Sequence, residues 1–203
     1  MNYPKFYDQI DKLRMYDPLA ATLGSSVDGL FEYSFSDVVK FTGHGCPTVA
    51  GAYMCCLHVL RRLYKNDETP VRGQLKVHLR SLESEGANGV IGSVLTYLLG
   101  AAGVGGFKGL AGQFSRNYLI EYGVDQSCQI IIERLDTSRR VGIDYHPQYV
   151  PSDPNVSILL RKVIDQTSSV EETKLLHELW NTRVSKLLIE EKDNLNIYAL
   201  SVF

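Results

Sequence analysis

Phe41-Thr42-Gly43-His44-Gly45-Cys46-Pro47, continuing directly into Thr48 to Tyr64, is the stretch from which the rest of the chain is read. Gly43 and Gly45 flank His44, and residues without a Cβ let the backbone take positive φ or come close to a ligand or another segment. Pro47 fixes φ near the helical value and suits the first position of a helix, so Cys46 is the expected N-cap. A thiol there lies against unpaired N–H groups and the positive end of the helix dipole, the surroundings of a reactive cysteine. From Thr48 onward Val49, Ala52, Tyr53, Cys56, Leu57, Leu60 and Leu63 recur at three- and four-residue steps, with Arg61, Arg62 and Lys65 on the other side. That period is helical. His44 and Cys46 are two apart in a loop, close enough to share one metal or one proton. The plainer alternative is a tight turn before a core helix, with a buried and inert cysteine.

Upstream, residues 4 to 15 read as a short amphipathic helix with Phe6, Ile10 and Leu13 on one side. Asp17-Pro18 opens a second helix that stops at Gly24, and Ser34 with Asp37 has capping-box spacing for a third that runs to the motif loop. Downstream, Gln74 to Arg80 alternates, with Leu75, Val77 and Leu79 on one face and Lys76, His78 and Arg80 on the other, the pattern of a half-buried strand.

Gly86 to Gly112 holds nine of the seventeen glycines. Val90 to Leu99 within it suits a buried helix. Gly100 to Gly112 reads first as a flexible loop or dimer contact; no Ser or Thr follows Lys108, so it is not a Walker loop. Lys108, and Arg116 beyond it, are the cations placed to face a bound anion or cofactor. Tyr118 to Tyr122, Ser127 to Leu135 and Arg140 to Tyr145 read as strands, the last two as an antiparallel hairpin. Asp153-Pro154 and Ser169 with Glu172 start two more helices.

The expected fold is therefore α+β, an antiparallel sheet with packed helices. A core over residues 1–150 is followed by a C-terminal helical extension over 151–203. With 203 residues, 44% of them hydrophobic, the chain can bury a substantial core. A formal net charge of −2 gives no electrostatic ground for a nucleic-acid or anionic-membrane partner. The apolar runs are short and glycine-rich, which argues against a membrane span. Met1-Asn2-Tyr3-Pro4-Lys5 lacks a secretory pattern, and four cysteines, two of them adjacent, do not make a disulfide framework. Cytoplasmic placement with reduced thiols is the expectation. Cys55, Cys56 and Cys128 suit core packing, and His58 falls on the polar side of its helix.

Phe41, Gly43-His44 and Cys46-Pro47, with the lead-in Ser36-Asp37-Val38-Val39-Lys40 and the small-residue helix that follows, resemble the F-x-G-H-x-C-P signature of the formylmethanofuran dehydrogenase FmdE family. The likeness spans roughly residues 30 to 146 and loosens after about residue 85. It implies a dimeric α+β core with a metal held by His44 and Cys46. The C-terminal helices stand where some relatives carry a zinc finger of paired cysteines.

His78, on the polar face of its strand and followed by Glu83 and Glu85, is the candidate third ligand. It would give an N/N/S set with an open position for water, suited to zinc, with nickel or iron as other divalent ions. Three functions follow. The first is a homodimeric metal-binding protein that takes a small ligand in a cleft at the motif loop. The second is an enzyme with Cys46 as nucleophile or metal ligand and His44 moving protons. The third is a non-catalytic accessory or scaffold protein of a redox complex.

Overall fold

The computed structural model describes residues 2–203. Among them α3 (Pro47–Leu63) is the central element, with every residue from Val49 to Leu60 buried. A helix apolar on all sides can exist only if the rest of the fold surrounds it. On one side lies a five-stranded sheet of β3 (Leu75–Leu79), β4 (Ile120–Tyr122), β5 (Ile130–Arg134), β6 (Arg140–Tyr145) and β7 (Tyr198–Val202), in the order β4-β3-β5-β6-β7. α2 (Phe35–Thr42) and α4 (Asn88–Leu99) pack alongside α3, and α6 (Val170–Ser185) crosses it near its start. The α+β expectation holds. The sheet is antiparallel except for the β3–β4 pair, which is parallel.

The local signals at element ends are realised. Ser34 and Asp37, and likewise Ser169 and Glu172, form reciprocal capping boxes. Gly24 and Gly43 close their helices in the left-handed conformation, with φ of 66° and 78°. The N-terminal expectation fails in part. Lys5–Gln9 is a 3-10 turn, and Leu13–Tyr16 is a strand, β1, paired antiparallel with β2 (Leu30–Tyr33). Leu13 and Met15 point inward while Arg14 points out, so a two-residue period governs a stretch read as helical.

The C-terminal segment also differs. α5 (Asn155–Ile164) and α6 form a helical pair with a small cluster of Val156, Leu159 and Leu176. A π-helical turn at Lys186–Glu190 follows, and the chain then returns as β7 to extend the sheet beside β6. Trp180 packs against both this cluster and the main core. The last strand of the core sheet thus comes from the segment expected to be a helical appendage.

Two close-packed points hold the layers. Gly51 of α3 lies against the ring of Tyr145 on β6, where a Cβ would overlap the ring. Tyr145 also stacks on Tyr198 and donates from its hydroxyl to the Pro47 carbonyl at 2.7 Å. At the far side, Asp17 caps α1 (Pro18–Leu23) through the amides of Leu19 and Ala20 and binds Arg72 at 2.9 Å and Arg116 at 2.7 Å. Burial pushes the Asp17 carboxyl up, but the Ala20 amide and the two guanidiniums outweigh it and hold it below the ordinary range.

Two outcomes follow. Gly51→Ala should destabilise the fold by about 1–3 kcal/mol in urea denaturation, because overpacking against Tyr145 outweighs the ~1 kcal/mol that alanine gains over glycine in a helix. Asp17→Asn preserves the cap but leaves two guanidiniums facing no carboxylate, and should cost about 3–5 kcal/mol. The folded-state carboxyl has the lower pKa, so the unfolded chain binds more protons as the pH falls. This component is therefore present above the unfolded-state pKa and disappears as the pH drops through the folded-state value. The gap between wild type and Asp17→Asn should narrow in acid.

Candidate functional site

The motif loop is fixed from three directions. Gly43 ends α2, its N–H donating to Val39 O at 2.8 Å. The Thr42 hydroxyl lies within hydrogen-bonding distance of both Val38 O and His44 O, at 2.9 Å each, which draws the loop back onto the last turn of the helix. Trp180 of α6 donates from Nε1 to Gly45 O at 2.8 Å, and a Cβ on Gly45 would lie 2.5 Å from the Tyr7 hydroxyl. Glycine is needed at 45 because the loop is sandwiched between Tyr7 and Trp180.

His44 is exposed, and its Nδ1 is 3.0 Å from Thr42 O. A carbonyl only accepts, so Nδ1 carries a proton, and in the neutral ring the lone pair resides on Nε2. His44 lines a cleft of about 450 Å³ with Phe41, Thr42, Glu83, Val90 and Ser93. Phe41 stacks flat on Tyr97, ring centres 4.8 Å apart, and forms an apolar wall. The opposite wall is the start of α4, whose N-cap Ala87 supplies no side-chain acceptor, so the first-turn amides at Gly89 and Val90 receive no side-chain cap. The cleft therefore combines an imidazole, a carboxylate and the positive end of a helix dipole.

Cys46 is the N-cap of α3 as expected, with the Val49 amide 3.5 Å from its sulfur. It is half-buried against the core, and it is not among the residues that line the His44 cleft. Cys55 and Cys56 are fully buried, and burial pushes both thiols far up, so they stay protonated and inert.

The expectation that His78 joins His44 and Cys46 is not met. Leu75, Val77 and Leu79 of β3 enter the core beside α4, so His78, one step out of phase, stands on the other face of the sheet. There Nδ1 lies 3.3 Å from Glu121 and Nε2 lies 3.4 Å from Glu133. Glu83, placed by sequence near His78, instead belongs to the cleft of His44. His58 is buried, with Nε2 2.6 Å from Lys192 O, and burial lowers its pKa; it is a neutral packing residue and not a surface one. Lys108 is exposed, whereas Arg116 is buried on Asp17. Trp180 and Tyr7, which hold the loop, carry no local signal of that role, because their partner Gly45 is distant in sequence.

Among the described residues no three His, Cys, Asp or Glu side chains are grouped to hold a metal ion. His44 and Cys46 fall two donors short of the four that a closed structural zinc site takes. No helix among the described residues is long and apolar enough to cross a membrane. The sequence matches no protein-family model and no curated protein.

Removing the tie between α6 and the loop should expose its consequence. Trp180→Phe keeps the apolar contact and loses the bond to Gly45 O. Amide exchange at Gly45 and Cys46 should accelerate by about 5–30-fold, corresponding to a hydrogen bond worth roughly 1–2 kcal/mol. Unchanged exchange would show that the loop is held by other contacts.

Proposed function

We propose that this protein binds a divalent metal ion at His44, in the cleft beside the Gly-His-Gly-Cys-Pro loop, and that a small ligand completes the coordination. The observation that carries this reading is the hydrogen bond from His44 Nδ1 to Thr42 O. Metal-ligating histidines characteristically donate their other ring N–H to a carbonyl or carboxylate, which sets the tautomer and orientation. Cys46 is the second donor once its side chain swings off the Val49 amide, and Glu83 is the carboxylate in the same cleft. So few protein donors leave positions for water or ligand, as in a binding centre and unlike a structural one. The F-x-G-H-x-C-P resemblance to the formylmethanofuran dehydrogenase FmdE family supports the same assignment. Zinc is the first ion to test, with nickel and iron next, and a cytoplasmic homodimer belongs to the same proposal.

The enzyme and scaffold readings rest on no further observation. Cys46 accepts from the Val49 amide at the helix start, which favours the thiolate, but no histidine or carboxylate is hydrogen-bonded to it among the described residues, so the geometry offers a nucleophile without the base that would activate it.

Elemental analysis of purified, tag-free protein, with zinc titration by calorimetry after chelation, tests the reading. About one ion per chain is expected for wild type. His44→Ala should weaken binding at least tenfold, roughly 1.4 kcal/mol, with circular dichroism unchanged. Cys46→Ser reports whether the thiol is the second donor. Full metal content in both variants, or wild-type protein that cannot be loaded, sinks the assignment.

A further inference from the structure

The other end of α4 carries a second feature, on the order of 18 Å from the His44 cleft by the rise of a twelve-residue helix. Arg72 donates from Nε to Leu98 O at 3.0 Å and from Nη2 to Tyr97 O at 2.8 Å, closing the C-terminus of the helix. Its Nη1 takes one oxygen of Asp17, and Arg116 Nη2 takes the other. Arg116 is only 8% exposed. Its Nη1 is buried and has no hydrogen-bond partner among the described residues. Gly73 and Gly100 make room for this guanidinium, since a Cβ on either would overlap it. Two guanidiniums thus face one carboxylate. One buried positive charge lacks a counterion, an arrangement that is costly unless something supplies the missing charge.

Beside this cluster lies a pocket of about 250 Å³, lined by Arg72, Gly73, Gln74, Gln113, Ser115 and Arg116. No acidic side chain is on its lining. Its outer wall is the end of the glycine-rich segment, which is closed on itself by Arg116 N to Phe107 O at 2.7 Å and Ala102 N to Arg116 O at 2.8 Å. The segment expected to be a flexible loop therefore serves as a hydrogen-bonded frame that carries Arg116 inward.

We infer that this pocket is a binding site for a small anion, a phosphate or carboxylate group, which neutralises the Arg72–Arg116 pair and takes polar contacts from the side-chain amides of the two glutamines. Guanidinium forks match both groups, and the Gln74 and Gln113 amides supply uncharged donors. The volume accommodates a group of several non-hydrogen atoms, at about 30 Å³ for each water displaced.

The test is calorimetric titration and thermal melting of the full chain with inorganic phosphate and with succinate, against chloride at matched ionic strength. Either anion should bind with a Kd near or below about 1 mM and raise the melting temperature. Phosphate alone, or succinate alone, identifies which chemistry the pocket takes. Gln74 is exposed at the pocket rim, so Gln74→Glu should fold normally and place a carboxylate where the anion sits. That variant should melt higher than wild type and lose the anion response at least tenfold. His44→Ala should bind the anion as wild type does, which separates this site from the metal cleft. Absence of binding by both anions to about 10 mM, or a Gln74→Glu variant that still responds as wild type, overturns the inference.

Discussion

The burial of α3 on every side is the constraint on which the remaining structure depends. A helix that is apolar all round has no solvent face to orient it, so its neighbours must be supplied by distant parts of the chain. The sheet covers one flank, α2 and α4 a second, and α6 and the following π-helical turn close the rest. Gly51 sets how near the sheet can come, because the Tyr145 ring occupies the space of a missing side chain. The same tyrosine bonds Pro47 O, so the position of the helix start is coupled to the sheet that covers its middle. Burial pushes the Tyr145 hydroxyl far up, and it remains a neutral donor.

The motif loop inherits its order from that arrangement. It joins two helices whose axes are already fixed, and its central carbonyl is bonded by a tryptophan more than a hundred residues away. His44 and Cys46 consequently serve different surroundings despite being separated by a single glycine. The imidazole looks into an open cleft, while the sulfur faces an amide at the edge of the core. Such a loop can present one donor to a ligand at low cost in ordering entropy, since the backbone is held before anything binds.

Polar clusters elsewhere share a common logic. Asp17 satisfies a helix start and two arginines at once, and Arg134 sits over the Tyr64 ring while bonding Glu68 and Asp136. On the outer face of the sheet His78 lies between Glu121 and Glu133, with Lys76 on Glu121 as well. Charges that leave water are grouped with opposite charges. Arg116, though paired with Asp17, keeps a second guanidinium nitrogen, Nη1, buried with no hydrogen-bond partner among the described residues.

What the sequence determined by itself was local. Helix caps at Ser34, Cys46 and Ser169, the stops at Gly24 and Gly43, and the alternation of β3 all depend on neighbours a few residues away, and each was legible. The α+β class followed from them. The tertiary structure alone decided on which side of β3 the motif loop lies, and with it the separation of His78 from His44. It decided that Leu13–Tyr16 pairs as a strand, since a short apolar stretch fits either period until a partner such as β2 is present. It returned the last residues to the sheet as β7, and it turned Arg116 from a loop cation into a buried one. The physical reason is common to all four: strand pairing, burial and ion pairing are contacts between residues remote in sequence, and local pattern carries no record of the distant partner.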